Sequence, residues 1–283
     1  MINLIKANIY RLLHAKVTYV ILILAVLFYL LGFGFMKIIY DAYEPGEDEV
    51  VMSEAEEPGD TSVTFTYSDE YEHEEVNSYK MLVDMMGTGM ITMMVGVFAA
   101  IFTDEERKSG FLKNLPKAPR GKRKIFLAKS AVMFFYSLVM TAVLVVASLI
   151  LAAIYHIGFI YDMKEYVIFW GKHVILLTAF GTAMMAIYEI IRKSIPVIIV
   201  ALLSSTLVNV ITVIETVLVM KNIVPEKFID LFGYSQYMII TRSSSLIVGS
   251  DNATHVSTWI VGFVSIVIYG IIGSLIYRKR DVL

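Results

Sequence analysis

The sequence predicts an all-α polytopic membrane protein, and three observations carry that prediction. Of 283 residues, 57% are hydrophobic, with a mean hydropathy of +0.69, whereas soluble globular chains run at about 45–50% apolar. The excess is gathered into runs at 17–39, 85–102, 125–155, 167–190, 195–219 and 257–277, long enough to cross a bilayer, which takes ~20 apolar residues as a helix. Lys and Arg fall mainly in alternate connections, as they do in proteins with several spans.

Taken in order, residues 1–16 (MINLIKANIYRLLHAK) space Ile2, Ile5, Ile9, Leu12 and Leu13 helically among Lys6, Arg11 and Lys16. That pattern suits a helix lying in the membrane interface; the alternative is that it extends the first span. The run at 17–39 is longer than a signal-peptide core and has no small-x-small cleavage site after it, so it reads as a retained span. The second run is Gly-rich (Gly87, Gly89, Gly96) and has room to begin nearer Tyr79. The third is long enough to tilt or project from the membrane. Arg192-Lys193-Ser194 separates the fourth and fifth, and Pro196 opens the fifth, a tight helical hairpin with Pro in a first turn.

Orientation follows from charge. With the N-terminus inside, the inner segments hold Lys6, Arg11, Lys16, the basic residues from Arg107 to Lys129, Arg192, Lys193 and Arg278 to Arg280, which is 17 of the 24. Both termini are then cytoplasmic, which requires an even number of spans, and six satisfies both signals. Residues 41–84 form an outer loop with 15 acidic residues and one Lys, within which Ser62–Tyr67 alternates like a strand. Residues 103–124 form an inner loop with eight basic and three acidic residues. Residues 220–256 form a partly apolar outer connection.

Several chemistries are excluded. A net charge of −2 gives no basic bias toward nucleic acid, and the absence of Cys removes disulfides, thiolate metal sites and Cys nucleophiles. There is no phosphate-binding loop G-x-x-x-x-G-K-[ST], no H-E-x-x-H and no G-x-S-x-G. His14, His73, His156, His173 and His255 are dispersed and read as interfacial or loop residues rather than ligands. Within the spans Glu215 stands out among the ionisable residues. It lies at the margin of a face carrying Ser205, Asn209, Thr212 and Thr216. Such a residue either lines a pathway or contacts a subunit, or else reaches the outer surface by snorkelling. An intramembrane protease built on Glu105-Glu106 lacks the histidines it needs within spans.

The inner loop begins TDEERKSG (Thr103–Gly110), continues FLKNLP (Phe111–Pro116) and turns basic to Lys124. Acids early and bases late suit a short helix under the membrane, with Phe111, Leu112 and Leu115 as an apolar face; a loop that only fixes topology has the same charges. The basic amphipathic start, the motif Glu105-Glu-Arg-Lys-Ser-Gly110 after the second span, the basic run into Lys129 and the six spans together resemble the permease subunits of ABC-2-type ABC transporters. Phe111 stands where members often carry a small hydroxyl residue, and the acidic outer loop is longer than the family's minimal form.

The resemblance implies a permease that is not itself an enzyme and holds no cofactor, ATP and Mg being bound by separate cytoplasmic ATPase subunits. It implies a second permease, identical or homologous, in a shared cell-membrane complex. Residues 103–116 would be the coupling helix, with Glu105, Glu106, Gly110, Phe111, Leu112 and Leu115 as the ATPase-coupling residues. Residues 226–248 would form re-entrant or interfacial helices. Within the family the chain looks nearest to bacterial permeases of peptide export, antimicrobial-peptide resistance or bacteriocin immunity. The alternative is a non-transporting sensor or scaffold that binds a ligand through its acidic loop.

Overall fold

The computed structural model describes residues 2–42, 76–109, 119–221, 238–244, 246–249 and 252–279, with only the backbone described at several helix ends. Apart from short connections these residues are helical, without a strand among them: α1 (Ile2–His14), α2 (Lys16–Ala42), α3 (Ser78–Gly87), α4 (Met90–Lys108), α5 (Pro119–Ile154), α6 (Met163–Ile191), α7 (Ser194–Met220), α8 (Ile239–Ser244) and α9 (Asn252–Lys279).

Local chemistry sets the boundaries. The chain breaks at Ala15 because side chains capture the carbonyls that end α1: the Thr18 hydroxyl donates to Leu12 O at 2.7 Å and the Tyr19 hydroxyl to Leu13 O at 2.6 Å. A helix end leaves such carbonyls without intrahelical partners, so α1 is a helix distinct from the first span rather than its extension. Asn77 caps α3, its side-chain oxygen accepting from the Tyr79 and Lys80 N–H groups at 3.0 and 3.4 Å. Thr88 and Gly89 then break the second run, and α3 and α4 meet at a 59° bend. Gly89 takes φ +72°, a left-handed conformation that costs a residue without Cβ little. Residues 78–87, part of which the sequence assigns to the outer loop, thus belong to a helix whose Tyr79, Leu82 and Met86 are buried. Pro119 opens α5, where its missing N–H costs nothing. The α6–α7 turn is the expected tight hairpin: Arg192 closes α6 at φ +60°, its N–H donating to Tyr188 O at 2.7 Å.

Packing centres on α6, which touches α4, α5, α7, α8 and α9. In its most apolar stretch 83% of residues are buried, against 28% in α2 and in α9. A helix apolar on every side has to be enclosed by others. At Gly96 of α4 an added Cβ would lie 2.6 Å from Phe180 Cε1 and 2.9 Å from Ala201 Cβ, so glycine lets α4, α6 and α7 meet closely.

Among the described residues four helices are long and apolar enough to cross a membrane (Lys16–Ile38, Lys124–Ile154, Met163–Ile191 and Thr258–Tyr277), and the bent α3–α4 pair makes a fifth if it is one span. The fifth expected span, α7, is one helix of 27 residues, of which Ser194–Ser204 counts as a shorter apolar helix among the described residues. The 103–116 segment is not one separate helix: Thr103–Lys108 are the last turns of α4, and 110–118 lie outside the described residues, as do 43–75 with the expected strand. Of the 226–248 helices, α8 is described and packs on α3, α6, α7 and α9.

Candidate functional site

The charged end of α4 carries the chemistry. Residues at i and i+3 or i+4 share a helix face, so Asp104 and Arg107 look one way and Phe102 and Glu106 another. Glu106 Oε2 lies 3.0 Å from Arg11 Nη1 on α1 and 3.1 Å from Lys129 Nζ on α5, and Lys129 reaches Glu189 Oε1 on α6 at 3.4 Å. The Arg11 guanidinium stacks 3.9 Å over the Phe102 ring, and the Lys129 ammonium lies 4.8 Å from the Tyr277 ring on α9. Side-chain exposure is 0% for Glu106 and 1% for Lys129. Two cations and two carboxylates make the cluster neutral, and mutual pairing is what allows charges to stay out of water.

The other face of α4 holds the α6–α7 hairpin. Asp104 accepts from the Tyr188 hydroxyl at 2.7 Å and the Ser194 hydroxyl at 3.2 Å, and pairs with Lys108 at 2.6 Å. Arg107 Nη1 donates to Arg192 O at 2.9 Å. Glu105, between the two faces, is exposed. The short acidic-basic stretch therefore ties the end of α4 to α1, α5, α6 and the start of α7 at once.

A second polar seam lies deeper. The hydroxyls of Thr92 on α4 and Ser243 on α8 are 3.3 Å apart, and the latter lies 3.3 Å from His173 Nδ1 on α6. All three residues are buried. His173 is therefore a core residue of a spanning helix, not the loop or interfacial residue expected: α6 is largely enclosed, so a polar side chain about a third of the way along it meets other helices.

The expected coupling residues are divided. Glu106 lies in the buried cluster rather than on an accessible rim, Glu105 is exposed at the end of α4, and Gly110, Phe111, Leu112 and Leu115 lie outside the described residues. Asn209, Thr212, Glu215 and Thr216 fall on α7, with their side chains outside those described. Sequence reasoning missed Lys129 as a partner of Glu106 and Glu189 as a partner of Lys129, and missed the burial of Lys172 and His173. The available signal was an ionisable residue inside an apolar run, which is costly unless paired or functional.

An all-helical polytopic membrane protein with a charged cluster anchoring one end of its helices defines the general class. Residues 4–208 match the family described as ABC-2 family transporter protein, and the chain belongs to it. No curated protein matches the chain. The match covers α1 to the first half of α7, and so includes both faces of the α4 end.

Proposed function

We propose that the chain is the permease subunit of an ATP-driven ABC transporter, with six spans and both termini in the cytoplasm. Two separate ATPase subunits hydrolyse ATP, and a second permease, identical or homologous, completes the membrane part. The observation that carries this reading is the end of α4: Asp104 and Glu106, in the first part of the segment assigned to ATPase docking, are tied to α1, α5, α6 and the α6–α7 hairpin. A push by an ATPase on Thr103–Lys108, the last turns of α4, would reach those elements through these contacts.

The cargo is read as peptides or other amphipathic molecules, cationic ones above all, because 15 carboxylates in residues 41–84 would concentrate cations outside the membrane. Such attraction fades with salt. Neutralising Glu70, Glu72, Glu74 and Glu75 is expected to weaken the response to a cationic peptide at low salt and to narrow its salt dependence; an unchanged response at both salts removes this substrate class.

The test of the permease reading is co-purification. The tagged chain extracted in mild detergent from its own cells is expected to bring an ATPase subunit with it. Phe111→Asp and Gly110→Trp are expected to lose that subunit while reaching the membrane at normal levels, since neither removes the positive charge that sets topology. Full retention of the ATPase and of transport by both variants would overturn the docking assignment.

A further inference from the structure

Three spans leave a space between them that no side chain fills. A groove of about 270 Å³ runs among α2, α4 and α7, walled by Leu24 and Phe28 of α2, Met93, Met94 and Val97 of α4, and Leu202 of α7. It starts at Met90, the residue that follows the bend at Gly89, and only apolar side chains line it. Leu24, Phe28 and Leu202 are exposed, so the groove opens on the outside of the helices. Apolar cavities of ~150 Å³ stay dry and take up small hydrocarbons. The flexible thioether chains of Met93 and Met94 suit a guest of irregular shape.

Depth and charge identify the guest. At 1.5 Å per residue, Leu24 and Phe28 lie about 12 and 18 Å along α2 from Lys16, Val97 about 15 Å along α4 from Arg107, and Leu202 about 12 Å along α7 from Ser194. Half of a ~30 Å hydrocarbon core is about 15 Å, the reach of one lipid tail from its headgroup. Exposed cations stand where each wall meets that level: Lys16 at the start of α2, Arg107 at the end of α4, and Arg192 and Lys193 just before α7. The Arg107 bond to Arg192 O, and the Arg11 pair with Glu106 shortly before Lys16 in the chain, put these positions at one end of the helices. Of the acids there, Asp104 is paired with Lys108 and Glu105 is exposed, so the described cations outnumber the acids. We infer that the groove is a binding site for one acyl chain of an acidic phospholipid, whose phosphate lies at the level of these cations. The inference rests on the groove and not on the transporter reading, and its test measures lipid binding without ATPase or transport.

The purified full chain in detergent is given a trace of phosphatidylglycerol that carries a diazirine in its acyl chain, and the adducts formed on irradiation are mapped by mass spectrometry. Unlabelled phosphatidylglycerol is expected to displace the label from Met90–Val97 at concentrations at least about tenfold lower than from exposed Val267 and Ile271 of α9, the scale of burying two further methylene groups. It is expected to compete about fivefold better than phosphatidylcholine, the scale of one surface cation. Lys16→Gln combined with Lys193→Gln is expected to remove that advantage. Val97→Phe and Leu202→Trp place a ring in the groove and are expected to abolish the readily displaced label on α4 while leaving the label on α9 unchanged. Label on α4 that responds to competitor as α9 does overturns the inference, and so does readily displaced label that survives Leu202→Trp, a change at an exposed position that leaves the fold intact. Equal competition by the two lipids overturns the acidic headgroup. The rival occupant is a second copy of the chain, which contains no Cys: a disulfide between copies of the Leu24→Cys variant, with no lipid label on Met90–Val97, assigns the groove to that copy and overturns the inference.

Discussion

Lys129 is the residue on which the buried cluster turns, because it touches both carboxylates. Removing one partner of a buried pair costs about 3–5 kcal/mol, since the charge left behind stays out of water. Lys129→Met is therefore expected to lower stability by about that amount in a detergent unfolding titration. Glu189→Gln should cost clearly less, because Glu189 is partly exposed and Glu106 keeps both of its cations. Neutralising all four positions with apolar or amide residues of similar size should restore most of the loss, as replaced buried ion pairs often do. If the cluster transmits force, that quadruple variant will be stable and still fail to link ATP hydrolysis to transport. Intact linkage in a stable quadruple variant would reduce the cluster to a structural clasp.

Helices were the most legible scale. Hydropathy runs marked the long helices to within a few residues, because lipid and protein alike reward a continuous apolar segment whose backbone is satisfied internally. The family was legible as well, from the basic amphipathic start and the acidic motif before Gly110. The bend at Thr88–Gly89 was visible only as a cluster of glycines, since composition marks where a helix can break but not whether neighbours hold it broken. The cluster was hidden for another reason: Arg11, Glu106, Lys129 and Glu189 lie on four different helices, and their pairing comes from packing that no local spacing encodes. Lys129 was absorbed into the positive run, which made its burial invisible. At this scale Gly96→Leu is expected to impair folding, because its side chain would enter space filled by Phe180 and Ala201, whereas Gly34→Ala meets nothing within 4 Å and should be neutral. Yield of monodisperse protein after extraction reads the difference.

For the molecule as a whole, the uneven burial of the spans sets expectations for assembly. Much of α2 is exposed, from Val20 and Ile23 through Leu27 and Leu31 to Phe35, and the chain contains no Cys. Single cysteines can therefore be introduced against a clean background. On the proposed orientation, cysteine at exposed Lys6 is expected to react with a membrane-impermeant maleimide only after the cells are opened, whereas cysteine at exposed Phe159, in the α5–α6 connection, should react in intact cells. Reversal of that pattern would invert the topology and place the acidic loop inside.

The enclosure of α6 also separates what the bilayer can act on from what it cannot. Mismatch between a span and the hydrocarbon thickness is relieved by tilting the helices that touch lipid. Here α2 and α9 are the least buried spans among the described residues, while most of α6 meets its neighbours. A thinner or thicker bilayer would thus slide an outer ring of helices along a shaft whose length does not change. The ion cluster sits where Tyr277 of the outer α9 meets Lys129 and the foot of α6, so it would bear that shear. Acyl-chain length in the surrounding lipid then becomes a setting of the ion cluster, acting at the end of α4 opposite to the bend at Gly89 without any ligand being bound.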